Sequence, residues 1–154
     1  MKLWGKYGFE WAAQLRPQLD EDGNVEAFVP HVHYQNNTGL ALHAYGQGPF
    51  CKFQISEQQE YGGVYLLNVG GKAMYIGECA HLANRYNDGY GSISPRNCYQ
   101  GGQPTHCRIN HLIYTTIKAG QPIELWFLKT PNRQAIATEL IKSLRSPWNR
   151  KSAM

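Results

Sequence analysis

The chain has 154 residues, the commonest size for a single folding unit, and 42% hydrophobic, 12% aromatic and 17% charged residues. That balance excludes disordered and fibrous classes. The net charge of +4 is unevenly spread: residues 1–62 carry four bases against seven acids, a net of −3, and residues 63–154 carry eleven bases against four acids, a net of +7.

A basic portion on a near-neutral chain points to a polyanionic partner, nucleic acid first. No apolar run approaches the roughly 18 residues that a membrane span needs, and Met1 leads into Lys2-Leu3-Trp4 without a signal-peptide core. Cys51, Cys79, Cys98 and Cys107 are spaced 28, 19 and 9 apart, with no CxxC pair and no zinc-ligand spacing. The expectation is a cytoplasmic protein with free thiols and no membrane association.

In chain order, residues 1–48 give a short helix near Gly8 to Leu15, an acidic turn at Asp20-Glu-Asp-Gly23, and then polar sequence. Phe50 to Ile55 alternates apolar with polar residues and predicts a short strand, followed by a polar connection to Gly62. From Gly63 the pattern sharpens. Val64 to Val69 and Ala73 to Gly77 are rich in β-formers on either side of Gly70-Gly71, which predicts a hairpin. Ala80 to Tyr86 suits a short helix, and Gly89 to Pro104 reads as a long loop.

Ile109, Leu112, Ile113 and Ile117 fall at helical spacing and predict a helix over about 105–119, stopped by Gly120. Residues 122–128 predict a third strand. Ile136, Leu140, Ile141 and Leu144 predict a last helix over about 132–144, with Pro147 beyond it. The order β-β-α-α-β-α gives an α+β fold, a small three-stranded antiparallel sheet flanked by helices. Residues 1–62 form an N-terminal extension, packed on the core or in a dimer contact, and residues 63–154 the core.

Two tyrosines stand ten residues apart on the two hairpin strands, in Gly63-Val-Tyr65 and Tyr75-Ile-Gly77, and Arg85 follows after ten more. Glu139 lies on the last helix and Asn149 in Pro147-Trp-Asn149. Taken alone, each has an ordinary structural use: strand tyrosines pack in cores, and Arg85 and Glu139 sit on helix surfaces. Five elements in order over residues 63–149 resemble the signature of the GIY-YIG nuclease family, with Val64 in place of its isoleucine.

The resemblance implies hydrolysis of phosphodiester bonds in DNA to 5′-phosphate and 3′-hydroxyl ends. Tyr65 would be the general base, Tyr75 would orient the water or support Tyr65, and Arg85 would bind phosphate oxygens. Glu139 would ligate one Mg²⁺, for which Mn²⁺ can substitute, and Asn149 would support the site. The chemistry suits the residues: a tyrosine of free pKa ~10 accepts a proton only beside a cation or hydrogen bond. Arginine forks onto phosphate, and Mg²⁺ takes one or two carboxylates and keeps several waters.

Two departures stand out. Glu78 occupies the position after Tyr-Ile-Gly where many relatives carry lysine, so that basic contact is absent or supplied by Lys72 on the hairpin. Gly89 replaces a tyrosine or histidine four residues after the arginine, with Tyr90 and Tyr86 as the nearest candidates.

The segment from Gly89 to His111 carries Tyr90, Arg96, Asn97, Gln103, Arg108, Asn110 and His111. These are side chains that contact phosphates and base edges. A packed loop built on Cys98 and Tyr99 is the structural alternative. The segment resembles the insertion of restriction-type members, which implies a site-specific endonuclease acting as a homodimer on palindromic DNA. The alternatives are a structure-selective or single-strand nuclease, or an inactive nucleic-acid-binding module.

Overall fold

Lys2–Trp4 (β1) and Tyr7–Gln14 (β2) pair as an antiparallel hairpin, with Trp4 opposite Tyr7 and Lys2 opposite Phe9. In the computed structural model, which describes residues 1–149, the chain forms two compact units. The first comprises residues 1–15, 55–85 and 121–149, and the second residues 16–54 and 86–120. Residues 150–154, the end of the core expected from the sequence, lie outside the described residues.

The first unit holds the sheet. Gly63–Val69 (β3) and Lys72–Cys79 (β4) form the predicted hairpin. Gly70 and Gly71 join them at φ 59° and 84°, positive angles that a tight hairpin turn requires and glycine adopts at least cost. Glu124–Lys129 (β5) lies on the other side of β3. The sheet therefore has five antiparallel strands in the order β1-β2-β5-β3-β4, which corrects the three-stranded sheet expected from the sequence. The two added strands come from the first fourteen residues, and the helix expected at Gly8 to Leu15 is the strand β2. Phe9 and Trp11 are good sheet formers, and pairing with the open edge of β5 satisfies backbone groups that a lone helix would not.

Arg133–Leu144 (α3 in chain order, after the helices α1 and α2 given below) packs its Ala137 and Leu140 on one sheet face, against Trp4, Phe9, Val64, Leu66 and Ile76. Trp4 meets Phe9 and Trp126 edge-on, at centroid distances of 5.6 and 5.4 Å. Full burial of a side chain such as Leu140 contributes about 1.5–3 kcal/mol, so this face anchors the helix. Leu82–Asn84 (α1) is capped by His81 Nδ1, which accepts from Asn84 N, and continues into a wider helical turn over Arg85–Tyr90.

The second unit contains Pro104–Lys118 (α2), close to its predicted span, and short turns of tight helix at Pro30–His33 and Pro95–Cys98. Its acidic turn forms as expected, with Asp20 Oδ1 accepting from Asp22 N and Asn24 N at 2.9 and 3.0 Å. The strand expected at Phe50 to Ile55 is absent. Phe50 makes one bridge, to Phe28, and the residues after it are irregular. Phe50, Ile93, Cys98 and Cys107 make a small core here. All four cysteines are free and buried, and no helix among the described residues is long and apolar enough to cross a membrane.

Candidate functional site

Strand alternation decides which side chains meet. Tyr65 lies opposite Gly77 and Leu67 opposite Tyr75, so Tyr65 and Tyr75 share one face of the hairpin, while Val64, Leu66 and Ile76 occupy the face that α3 covers. The two tyrosine rings are 6.1 Å apart between centroids and inclined at 49°. Tyr65 reaches across Gly77: a Cβ on that glycine would stand 2.2 Å from the Tyr65 hydroxyl oxygen and 2.3 Å from its ring carbon. The glycine of Tyr-Ile-Gly thus makes room for the tyrosine of the facing strand.

Arg85, half-buried where α1 passes into the wider turn, donates from Nη1 to the Tyr65 hydroxyl at 3.5 Å. Its charge is felt nearby. Burial pushes the Cys79 thiol above its ordinary value, and the Arg85 cation opposes that rise. Tyr65, Tyr75 and Arg85, separated by twenty residues of sequence, are therefore one cluster.

Asn149 and Glu139 are used differently. Asn149 accepts from Ile76 N at 2.9 Å and donates to Ile76 O at 2.7 Å. Its amide works as a short strand segment along β4, beside Tyr75, and Ser146 donates to its Oδ1. It is a brace of the strand that carries Tyr75. Glu139 is exposed on α3, and its Oε1 accepts from the Tyr7 hydroxyl of β2 at 3.0 Å. The structure joins it to Tyr7, and α3 lies on the face opposite the tyrosine pair. No sequence signal could have found Tyr7, because the contact spans 132 positions.

Lys72 is exposed at the start of β4. Glu78, which stands in the lysine position of the motif, forms an ion pair with Arg133, Nε to Oε2 at 3.0 Å, so a cation from α3 lies beside that position. In the second unit Tyr86 and Tyr90 are buried, packed edge-on at 5.2 Å, and Tyr90 lies 5.1 Å from the His106 ring.

The other residues of the polar segment mostly serve its own architecture. Asn110 is fully buried, accepts from Cys51 N and donates to Cys51 O and Tyr90 O at 2.9, 2.8 and 2.6 Å. Asn97 closes a reciprocal cap with Ser94. His111 Nδ1 bonds the Pro49 carbonyl at 2.8 Å. Arg96 and Arg108 are half-buried, and the Arg96 guanidinium lies over Gly101.

For a metal, the donor chemistry of Glu139 fits: one hard oxygen is held by a hydroxyl, the kind of support that orients a ligating carboxylate. No group of three or more His, Cys, Asp or Glu able to hold an ion occurs among the described residues, and Mg²⁺ does not require one when substrate phosphates complete its shell. Against known proteins, no family model matches the sequence, and neither a curated protein nor a solved structure shows significant similarity.

Proposed function

We propose that this chain is a metal-dependent DNA endonuclease of the GIY-YIG kind. The observation that carries the reading is the cluster of Tyr65 and Tyr75 on adjacent strands with the Arg85 guanidinium on the Tyr65 hydroxyl. A tyrosine takes a proton from water only as its phenolate, a form that a neighbouring cation favours, and Arg85 is that cation. Burial around the pair strengthens their interaction relative to water.

In the reaction, Tyr65 as its phenolate takes the proton of the attacking water and becomes a phenol, which returns that proton to solvent after the cut. The water oxygen bonds to phosphorus, the bond from phosphorus to the 3′ oxygen breaks, and solvent protonates the departing oxygen. The products are a 5′-phosphate and a 3′-hydroxyl. Arg85 donates to phosphate oxygens as charge builds there. Tyr75 orients the water, and Asn149 holds β4 so that Tyr75 keeps its place. Glu139 is the carboxylate that would hold Mg²⁺ or Mn²⁺, a source of charge neutralisation, but it sits with Tyr7 on the sheet face opposite the tyrosine pair, so no step at Tyr65 and Arg85 is routed through it.

Cutting both strands of a palindromic site calls for two copies of a centre this small, hence a homodimer. A second reading, a structure-selective or single-strand nuclease, is favoured by one observation: Asn110, Asn97 and His111 are spent on internal hydrogen bonds, which removes three of the segment's side chains from reading base edges.

Digestion of plasmid, single-stranded DNA and RNA with Mg²⁺ or with EDTA tests both. Metal-dependent cutting is expected, and Glu139→Gln, with DNA binding measured alongside, tests whether the metal depends on this carboxylate. Discrete fragments support the site-specific form, and faster attack on single strands supports the second. Cutting by Glu139→Gln within about tenfold of wild type would remove Glu139 from the metal role, and no cutting of any substrate would end the proposal.

A further inference from the structure

At one end of the sheet in the first unit, the start of β3 and the end of β5 enclose an open cleft of about 560 Å³, lined by Gly62, Lys129, Thr130, Pro131 and Arg133. Clefts of roughly 300–1,000 Å³ admit groups of nucleotide size, so this one is larger than a simple ion needs. Its wall is closed by a hydrogen bond from Thr130 N to Gly62 O at 3.4 Å. Gly62 and Pro131 give it an uncharged floor, while Lys129 and Arg133 supply two cations.

From this arrangement we infer that the cleft holds a phosphodiester segment of the nucleic-acid strand, a contact separate from the tyrosine and arginine cluster. The inference rests on the nuclease reading for its substrate. The Lys129 ammonium lies 3.5 Å from the centroid of the Tyr61 ring, which fixes the cation in place while leaving it donors for phosphate oxygens. The Thr130 hydroxyl oxygen already accepts from Asn132 N at 3.1 Å, so its proton is left for an acceptor. Arg133 is held by Glu78 in a pair about one-third exposed on each side. Such pairs are weak, and a phosphate competes with Glu78 for the guanidinium.

Position supports the assignment. Lys129 lies opposite Gly63, two residues from Tyr65 along β3 and on the same face. At about 3.3 Å per residue the cleft begins about 7 Å from the Tyr65 position. That is about two steps of a strand rising 3.4 Å per nucleotide. A strand whose scissile phosphate met Tyr65 and Arg85 would pass the cleft within a few nucleotides.

Binding of a fluorescent oligonucleotide duplex to the full chain in EDTA, followed by anisotropy across a salt series, separates binding from cutting. Lys129→Gln and Arg133→Gln should each weaken binding severalfold and reduce the slope of log K against log salt by about 0.9. Glu78→Gln should tighten binding, because it removes the competitor for Arg133. Lys142→Gln, an equal loss of charge on the exposed side of α3, should change affinity far less. Equal losses for Lys129→Gln and Lys142→Gln, or no change on Glu78→Gln, would overturn the cleft while the nuclease reading stood. Absence of binding by the wild-type chain would overturn both.

Discussion

The hairpin of β3 and β4 and the polar segment from Gly89 to His111 were both singled out by side-chain type, yet the fold uses them in opposite ways. On the hairpin, alternation sends Tyr65 and Tyr75 to one face, and Gly77 leaves the space into which Tyr65 leans. Backbone hydrogen bonds there are satisfied strand to strand, and the two tyrosines are buried together, with Arg85 on the Tyr65 hydroxyl. The polar segment has little regular structure before α2, and its own side chains stand in for a ladder. Asn110, Asn97 and His111 bond backbone groups that have no strand partner. A regular element satisfies its backbone by itself, whereas a coil draws on its own polar side chains to do so.

The largest effect that can break this comparison is expected at Tyr65. Tyr65→Phe keeps the ring that fills the space over Gly77 and removes only the hydroxyl that Arg85 contacts. Cleavage should fall by about 10²- to 10⁴-fold, the usual contribution of a general base, with the melting temperature nearly unchanged. A stable variant with full activity would place Tyr65 among the structural residues, alongside Asn110.

Asn110→Ala should do the reverse. It strands the Cys51 N–H and leaves the Cys51 and Tyr90 carbonyls without their amide donor, all in the interior. Unsatisfied buried groups cost about 1–3 kcal/mol each and are not additive, so a loss of roughly 2–4 kcal/mol is expected. In a chain of this size that lowers the melting temperature by roughly 5–15 °C. DNA affinity measured well below that temperature should not change. An unaltered melting curve with weakened DNA binding would return Asn110 to the surface role that its side chain suggests in the sequence.

These contrasts explain what was legible beforehand. The hairpin, α2, β5 and α3 carry strong periodicity or a glycine turn, and each lies within a few residues of its expected span. Strand β2 was missed because Phe9, Trp11, Ala12 and Leu15 also fit a short helical face, and only the long-range pairing with β5 decides between them. The cluster of Tyr65, Tyr75 and Arg85 was legible because it rests on one hairpin and the turn that follows. The partners Tyr7 for Glu139, Ile76 for Asn149 and Arg133 for Glu78 were not, since each contact depends on how distant elements pack.

The smallest effect concerns the thiols, which differ between the same two regions. On the hairpin, the Arg85 cation opposes the burial that raises Cys79. In the second unit burial pushes Cys51 and Cys107 from 9.0 up to about 12, and at Cys107 the neighbouring Cys98 adds to the rise. Because the folded chain keeps these protons where the unfolded chain has released them, their contribution to stability is complete below pH 9. It is lost as pH rises from 9 towards 12. At pH 9 itself the loss is only about 0.4 kcal/mol per thiol, the free energy of half-ionisation in the unfolded state. Urea midpoints between pH 8 and 9.5, a window below the ordinary tyrosine titration, should therefore drift slightly downward. The drift should be shallower in a Cys51→Ala, Cys107→Ala variant. Midpoints that rise with pH, or a drift unaltered in the double variant, would show that these thiols are not held protonated by the interior of the second unit.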